Sequence, residues 1–377
     1  MTCQLNDRDS GCDGFLRRAG ITMRIGLLVF LAIGIVGCDG GAKTMSDDSV
    51  VDDIMRAYQG DVPGASVLVI RDGKALVRKG YGLANLEEHE AATPATNYRL
   101  ASVTKQFTAA AILLLAEDGR LGLDDRIRQW LPSLPDATDA ITIRQLLTHT
   151  GGMIDYEDVM PATQDTQLLD IDVLHLLEAQ DRLYFAPGSD YRYSNGGYSM
   201  LALIVEEASA LSFPAFLKQR IFEPLGMDNT LAFVDGGPSV SQRAFGYTES
   251  TSGWTRTDQS MTSAVLGDGG IYSSIDDLAR WDAALYDDRL LSDASRKLAF
   301  TGWTRTDVAD VDYGFGWRIT GETLWHSGES IGFRNVFVRY PRQHLSVIIL
   351  SNRNDPEPYR MALAISQHFL TRPVPAD

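Results

Sequence analysis

The sequence predicts an α+β fold in which segments from the two ends of the chain form one antiparallel sheet, flanked by helices, with a mostly helical subdomain inserted between them. The first observation is a pair of apolar-rich strand patterns near residue 70, joined by an Asp-Gly turn. The second is a return to strand patterns near the C-terminus. The third is the predominance of helical patterns between residues 125 and 300.

Each predicted element has its own local signal. The N-terminal strands lie in residues 64–82, GASVLVIRDGKALVRKGYG, with the turn at Asp72-Gly73. The following SVTKQFTAAAILLLAEDGRL is rich in helix-favouring Ala and Leu and ends at Gly119. Helical patterns follow in IRQLLTH, YSMLALIVEEAS and SIDDLARWDAALY. The C-terminal strands are predicted in YGFGWRI, TLWHSG, FRNVFVRY and LSVIILSN, and a last helix in PYRMALAISQHFL.

The composition excludes several classes of function. The formal net charge of −16 argues against a nucleic-acid partner, which needs a basic face. All three cysteines, Cys3, Cys12 and Cys38, lie in the first 38 residues, so the folded part is expected to contain neither a disulfide nor a thiol nucleophile. No Cys/His cluster has metal-ligand spacing, and we expect neither a metal nor another cofactor.

The N-terminus has the pattern of a secretion signal. Residues 25–37, IGLLVFLAIGIVG, form an apolar run that is too short to span a membrane well. Arg17, Arg18 and Arg24 precede this run as a basic region. The run ends in IVGC, which resembles a bacterial lipobox, in which the cysteine is lipidated and becomes the mature N-terminus. We therefore expect lipidation of Cys38.

This interpretation divides the chain into three parts. Residues 1–38 would be a signal peptide with a lipobox, with Met23 as an alternative start. Residues 39–54 are predicted to be a flexible tether, and residues 55–377 the folded domain. The expected location is the periplasmic side of a bacterial cell envelope, anchored to a membrane by lipid. The sequence leaves open whether that membrane is the inner or the outer one, and it does not define the oligomeric state.

One candidate nucleophile lies near the C-terminus. Residues 328–332 read Gly-Glu-Ser-Ile-Gly, which has the letters of the G-x-S-x-G nucleophile elbow of α/β-hydrolases. An elbow requires a helix after the serine, and its histidine partner follows later in the chain. Here an alternating strand pattern follows Ser330, and only His344 and His368 remain downstream. Ser330 is therefore not expected to be the nucleophile.

The stronger candidate is Ser102, in Ser102-Val103-Thr104-Lys105 at the start of the first predicted helix. Residues i and i+3 lie on one helix face, so the serine hydroxyl and the lysine amine would be neighbours. The positive end of the helix dipole would stabilise a developing oxyanion. The alternative interpretation is a serine N-cap followed by a lysine that faces solvent.

Two further motifs favour the catalytic interpretation. Tyr193-Ser194-Asn195 and His326-Ser327-Gly328 follow S-x-x-K in order along the chain. With them, the chain resembles the class C-like branch of the serine β-lactamase and penicillin-binding protein superfamily, which uses S-x-x-K, Y-x-N and K/H-x-G. The resemblance extends over residues 55–370 and includes LLTHTGGM, IFEPLGMDNT, GDGGIYSSIDDLARW and YGFGW.

The resemblance implies roles for individual residues. Ser102 would attack a substrate carbonyl and form an acyl-enzyme that water hydrolyses. Tyr193, assisted by Lys105, would transfer the proton from the serine to the leaving group. The backbone N–H groups of Ser102 and Glu329 would form the oxyanion hole. The substrate-binding residues would be Asn195, His326, Ser327, Gly328 and Glu329.

These roles imply an enzyme that acts on a small ester, amide or peptide. A neutral His326 and a carboxylate at Glu329 disfavour an anionic substrate, so an esterase, amidase or D-amino-acid peptidase is expected. One alternative is a β-lactamase or DD-carboxypeptidase acting on β-lactams or cell-wall peptides. A third possibility is a non-catalytic lipoprotein that uses the fold to bind a ligand.

Overall fold

The computed structural model describes residues 46–234 and 236–371. Its helices are α1 (Asp47–Ile54), α2 (Lys105–Glu117), α3 (Ile143–Leu147), α4 (Asp170–Glu178), α5 (Asn195–Ser209), α6 (Phe213–Leu217), α7 (Glu223–Leu225), α8 (Leu266–Gly269), α9 (Ile275–Ala284), α10 (Asp293–Ala299) and α11 (Pro358–Leu370). Its strands are β1 (Ala65–Arg71), β2 (Lys74–Tyr81), β3 (Leu83–Asn85), β4 (Glu90–Ala91), β5 (Tyr98–Arg99), β6 (Leu231–Ala232), β7 (Tyr247–Ser250), β8 (Gly253–Arg256), β9 (Ile271–Ser273), β10 (Thr304–Arg305), β11 (Asp312–Tyr313), β12 (Arg318–Thr320), β13 (Thr323–Ser330), β14 (Phe333–Tyr340) and β15 (Leu345–Ser351).

The main sheet has eight strands in the order β10-β11-β12-β13-β14-β15-β1-β2. Strand β1 pairs antiparallel with β15, so that Ala65 lies opposite Ser351 and Arg71 opposite Leu345. This pairing joins the N-terminal hairpin to the C-terminal strands, and helices from the middle of the chain pack against the sheet. The predicted α+β architecture is confirmed.

Alternate side chains of the central strands enter two separate cores. In β1, Leu68 and Ile70 face the larger core, which contains α2 and α5. Val67 and Val69 of the same strand face a smaller core formed with α1 and α11. Successive residues of a strand point to opposite faces, so a strand between two helix layers is buried throughout. The uninterrupted apolar run of β1 is a consequence of this position.

One predicted strand is divided in two. The segment YGFGWRI forms the end of β11 and the start of β12, separated by a turn that contains Gly316. This glycine has φ +76°, and a Cβ placed on it would lie 2.6 Å from the carbonyl oxygen of Lys105. The chain turns sharply here because the start of α2 packs directly against it. A local strand pattern cannot reveal that contact.

The structure also corrects the expected tether at residues 39–54. Asp47–Ile54 is the helix α1, capped by the Ser46 side chain, and its Val51 is fully buried in the smaller core. The folded domain therefore begins at least eight residues earlier than predicted. Residues 39–45 and the predicted lipidation site Cys38 lie outside the described residues.

Within the described residues, no single helix has the length and apolar character needed to cross a membrane, although α5 and Phe213–Leu225, bent by 75° at their junction, together meet the criterion of length and composition.

Candidate active site

Ser102 lies in a tight turn that leads directly into α2. Residues 101–104 form a 3₁₀ turn, and the α-helix begins at Lys105. Ala101, which precedes the serine, is buried and has φ +49°, a left-handed conformation that non-glycine residues rarely adopt. Such strain persists only where the surrounding structure imposes it. The turn therefore holds the Ser102 hydroxyl in a fixed position at the end of the central helix.

Lys105 is fully buried and contacts two of the other predicted site residues. Its ammonium nitrogen lies 3.1 Å from Ser102 Oγ and 2.8 Å from Asn195 Oδ1. It also donates to the backbone carbonyl of Asp268 at 3.0 Å. An ammonium group has three N–H donors, and each has one acceptor here. Lys105 thus links the candidate nucleophile to the second motif.

The second motif forms the start of α5. Ser194 is the N-cap, and its side chain accepts a hydrogen bond from Gly197 N. Asn195 is therefore the first helical residue, and its amide points towards Lys105. The Tyr193 ring centroid lies 4.8 Å from Lys105 Nζ. The Tyr193 hydroxyl is buried and has no hydrogen-bond partner among the described residues.

The third motif lies on β13, whose backbone runs beside the nucleophile turn. A Cβ added to Gly328 would lie 2.2 Å from the Leu100 carbonyl oxygen and 3.0 Å from Ser102 N. Only glycine permits this approach without a shift of the backbone. The strand therefore brings the predicted residues Ser327, Gly328 and Glu329 next to Ser102.

The structure corrects the expected orientation of His326. Its side chain is only 1% exposed. Nδ1 lies 2.6 Å from the Ser327 carbonyl oxygen, so it must carry the hydrogen, and Nε2 then accepts from the Tyr313 hydroxyl at 2.9 Å. Burial, together with the charges of Arg318 and Lys105, lowers the pKa of His326 well below its usual value. The neutral ring faces an aromatic cluster near Tyr193 and not the substrate cavity.

Ser330 lies at the end of β13, where the chain turns back into β14. Ser330 pairs with Phe333 across this hairpin, and no helix follows. Its carbonyl oxygen accepts a hydrogen bond from Asn354 Nδ2, while its hydroxyl is buried without a partner among the described residues. The G-x-S-x-G letters therefore occur in a β-hairpin and not in a nucleophile elbow.

A cavity of about 180 Å³ opens beside the nucleophile. Its lining includes Ser102, Asn195, Glu157, Asp268, Glu329 and Ser330. The carboxyl groups of Glu157 and Asp268 were not predicted as site residues from the sequence. Asp268 belongs to the GDGG stretch, which is part of the family resemblance. That resemblance could have identified Asp268 as a candidate site residue. Glu157 has no motif around it, because a 3₁₀ turn between helices brings it to the cavity.

Both of these carboxyl groups are shifted towards the protonated form. Burial raises the pKa of Asp268 to about 8, although the charge of Lys105 acts in the opposite direction. The Tyr156 hydroxyl donates to Asp268 Oδ2 at 3.3 Å. Burial and the neighbouring Asp155 raise the pKa of Glu157, while the hydrogen bond from Asn195 lowers it.

Other possible sites are less well placed for this chemistry. A larger cavity of about 490 Å³ lies between the α6–α7 region and the loop after β6, and contains none of the predicted site residues. Within residues 46–234 and 236–371, no group of three or more His, Cys, Asp or Glu side chains is arranged to hold a metal ion.

Two curated proteins are similar to this chain in sequence. Penicillin-binding protein 4* of Bacillus subtilis (strain 168) is 33% identical over 325 residues, which cover 81% of this chain and 72% of the relative. Protein flp of Staphylococcus aureus (strain NCTC 8325 / PS 47) is 29% identical over 307 residues, covering 78% of this chain. The chain spans 61% of the length of that second relative.

Solved structures show the same fold. The octameric penicillin-binding protein homologue from Pyrococcus abyssi has a TM-score of 0.76 and 27% identity, and the match covers 86% of this chain and 77% of the other. The D-amino acid amidase from Ochrobactrum anthropi SV3 has a TM-score of 0.75 and 22% identity over 87% of this chain and all of its own. The model of the Beta-lactamase family matches residues 48–370, from the first helix to the end of the last, and the chain belongs to that family.

Proposed function

We propose that the protein is a serine hydrolase that cleaves an ester or amide bond through an acyl-enzyme on Ser102. The observation that carries this proposal is the 3.1 Å contact between Ser102 Oγ and the buried ammonium of Lys105. A serine N-cap with a solvent-facing lysine would leave Lys105 exposed, whereas this lysine is fully buried. Homologues with this fold are serine hydrolases.

In the proposed acylation step, Ser102 Oγ attacks the carbonyl carbon and its proton passes to Tyr193. Lys105 Nζ lies 4.8 Å from the centroid of the Tyr193 ring, so its positive charge is next to the proposed base during proton transfer. The backbone N–H groups of Ser102 and Glu329 donate to the oxyanion. Tyr193 then gives the proton to the leaving amine or alkoxide, which departs and leaves the acyl-serine.

In the proposed deacylation step, a water molecule attacks the acyl-serine carbonyl. Tyr193 accepts a proton from the water and returns it to Ser102 Oγ as the ester bond breaks. Asn195 holds Lys105 in place through its Oδ1 atom, so the charge beside Tyr193 persists during both steps.

A β-lactamase or DD-carboxypeptidase is the second candidate, favoured by the 33% identity to a penicillin-binding protein. Such enzymes act on substrates that end in a carboxylate. The neutral His326 supplies no positive charge in the third motif, and the carboxyl groups of Glu157, Asp268 and Glu329 line the cavity. These observations favour an esterase, amidase or D-amino-acid peptidase over enzymes for anionic substrates.

The test is labelling with a fluorescent fluorophosphonate and a fluorescent penicillin. The wild-type chain, Ser102→Ala and the matched control Ser330→Ala are compared, followed by turnover of p-nitrophenyl esters, nitrocefin and D-Ala-terminated peptides. We expect fluorophosphonate labelling of the wild type and of Ser330→Ala, and at least about a hundredfold less in Ser102→Ala.

Each other outcome contradicts a specific part of the proposal. If no labelling depends on Ser102, the result would support a non-catalytic binding protein. Loss of labelling in Ser330→Ala alone would show that the nucleophile had been misassigned. Efficient turnover of nitrocefin would favour the β-lactamase alternative.

We also propose that the protein is a lipoprotein of the bacterial cell envelope, anchored on the periplasmic side through Cys38. The support is the short apolar run followed by IVGC in the sequence. Growth of a bacterial host with a labelled fatty acid should give a labelled, membrane-associated protein. Equal labelling of Cys38→Ala would contradict this proposal.

A further inference from the structure

His149 lies two residues beyond the end of α3, in the LLTHTGGM stretch, and its side chain is buried. Its backbone has φ +58°, in the left-handed region that residues other than glycine rarely adopt. A strained conformation of this kind persists only where the surrounding structure imposes it, and such residues cluster at functional sites. The surroundings of His149 are the segment of chain that carries Tyr193.

The two residues that flank Tyr193 both donate a hydrogen bond to His149. The backbone N–H of Arg192 donates to the His149 carbonyl oxygen at 3.0 Å. The backbone N–H of Ser194 donates to Nδ1 of the His149 ring at 3.1 Å. Two hydrogen bonds to a single residue therefore fix the backbone on each side of Tyr193.

The His149 ring also packs against the Tyr193 side chain. The two ring centroids lie 4.3 Å apart, with an angle of 37° between the ring planes. Burial, together with the charge of Lys105, lowers the pKa of His149 well below its usual value, so the ring is neutral and Nδ1 is free to accept. Nε2 then carries the hydrogen, and it is buried without a hydrogen-bond partner among the described residues. The side-chain hydrogen bonding of His149 is therefore directed at the Tyr193 segment.

The start of α5 is held by a second residue of the same region. Asp155 Oδ2 accepts from the Ser194 hydroxyl at 2.7 Å and from Gly196 N at 3.2 Å. These bonds fix the N-cap and the first turn of the helix. His149 differs from Asp155 because it contacts the ring of the proposed base as well as the backbone beside it.

We propose that His149 is a positioning residue for Tyr193: its Nδ1 atom holds the Ser194 N–H and its ring supports the phenol, so that the hydroxyl is placed for proton transfer. The inference rests on the proposed function, in which Tyr193 is the base. A general base must lie within hydrogen-bond reach of the proton that it removes, and a misplacement of 1 Å can cost about a hundredfold in rate. Loss of the Nδ1 acceptor should therefore slow the reaction through Tyr193.

The test compares two replacements of similar shape. His149→Asn keeps an acceptor near the position of Nδ1 and tolerates the left-handed conformation, whereas His149→Leu has no acceptor. Stopped-flow labelling with the fluorescent fluorophosphonate measures the rate at which Ser102 is acylated. We expect His149→Asn to react at least about tenfold faster than His149→Leu. His149→Gly also lacks the acceptor but adopts φ +58° without strain, so it takes the place of His149→Leu if that variant does not fold.

A double-mutant cycle separates positioning from a general structural effect. In a Tyr193→Phe background no hydroxyl remains to be placed, so His149→Asn and His149→Leu should differ by less than about threefold. A distortion of Ser102 or Lys105 would instead slow the reaction by the same factor in both backgrounds.

His344 provides the matched control. It also has a positive φ, +45°, and its ring also stacks on a tyrosine, but it lies between β14 and β15 and outside the cavity lining. His344→Leu should keep the wild-type rate of acylation.

The two proposals fail in different ways. Equal rates for His149→Asn and His149→Leu, or an undiminished difference between them in the Tyr193→Phe background, overturn the positioning role alone. Absence of any Ser102-dependent labelling overturns the proposed function and this inference with it.

Discussion

The hydroxyl of Tyr313 lies 2.9 Å from Nε2 of His326, and this hydrogen bond fixes the tautomer of the histidine in the third motif. Since Nδ1 donates to the Ser327 carbonyl oxygen, Nε2 can only accept, and the ring is held as one neutral tautomer. Tyr313 remains a phenol because burial raises its pKa well above the usual value. The strand that borders the nucleophile thus carries a histidine without charge.

The first prediction concerns this hydrogen bond. Tyr313→Phe leaves the buried Nε2 of His326 without a donor, which should cost about 1–3 kcal/mol in the free energy of unfolding. The measurement is chemical denaturation. Tyr191→Phe is the matched control, because the Tyr191 hydroxyl is buried without a partner and its removal breaks no bond. Equal stability of Tyr313→Phe and the wild type would contradict the assigned tautomer.

The second prediction concerns acid stability. Burial lowers the pKa of both His149 and His326 well below the usual value, whereas the unfolded chain titrates near the ordinary value of about 6.5. Below that pH the unfolded state binds more protons, so the stability that is complete above about pH 6.5 should decline as the pH falls. Thermal unfolding between pH 8 and pH 5 measures this decline.

Histidine variants separate the contribution of His326 to this loss of stability at low pH from the contribution of the carboxyl groups. His326→Gln should show a weaker decline than the wild type, by up to about 1.4 kcal/mol for each pH unit. Replacement of the exposed His175 by Gln should leave the wild-type profile unchanged. A His326→Gln profile parallel to that of the wild type would show that folding does not lower the pKa of this ring.

Several features of this molecule were predictable because their signals are local. The β1–β2 hairpin follows from its Asp-Gly turn, and α11 from its own apolar periodicity, and both were predicted within one residue of their observed bounds. Ser102 and Lys105 are three residues apart, so helical geometry alone brings them together.

Other features depend on contacts between distant parts of the chain. Tyr313 meets His326 across two antiparallel pairings, and Glu157 reaches Asn195 from a separate turn. Neither contact follows from spacing in the sequence. The orientation of His326 was mistaken for the same reason, since the motif letters give the strand position but not the face on which its hydrogen-bond partner lies.

The third prediction concerns the contact between β13 and the nucleophile turn. Gly328→Ala would place a methyl group 2.2 Å from the Leu100 carbonyl oxygen, so the strand and the turn must separate. We expect at least about a tenfold loss of Ser102 labelling and a loss of about 1–3 kcal/mol in stability. Gly197→Ala is the control, because its nearest neighbour would be 3.6 Å away. Full labelling of Gly328→Ala would argue against a close approach of β13.

The fourth prediction concerns a buried ion pair that supports the sheet. Arg339 Nε lies 2.6 Å from Asp282 Oδ1, and the two side chains are 1% and 4% exposed. Asp282→Ala would leave a buried, uncompensated guanidinium and should cost about 3–5 kcal/mol. Asp293→Ala, which breaks an exposed pair with Lys297, should leave the melting temperature almost unchanged. Similar melting temperatures for the two variants would contradict this difference.

The last prediction separates catalysis from stability at Tyr193. Its hydroxyl is buried without a partner among the described residues, so Tyr193→Phe breaks no hydrogen bond and should not lower the melting temperature. If Tyr193 is the base, the same variant should acylate about 10²–10⁴-fold more slowly, because that is the usual contribution of a positioned acid–base group. Stopped-flow labelling with the fluorophosphonate measures the rate.

Tyr191→Phe is again the matched control, since both hydroxyl groups are buried without partners and both rings contact His149. Tyr191 lies outside the Y-x-N motif and has no contact with Lys105 of the kind that Tyr193 makes. Equal rates for the two variants would show that another group removes the serine proton. Lys105 would then be the remaining candidate, because its ammonium lies 3.1 Å from Ser102 Oγ and would have to lose a proton before attack.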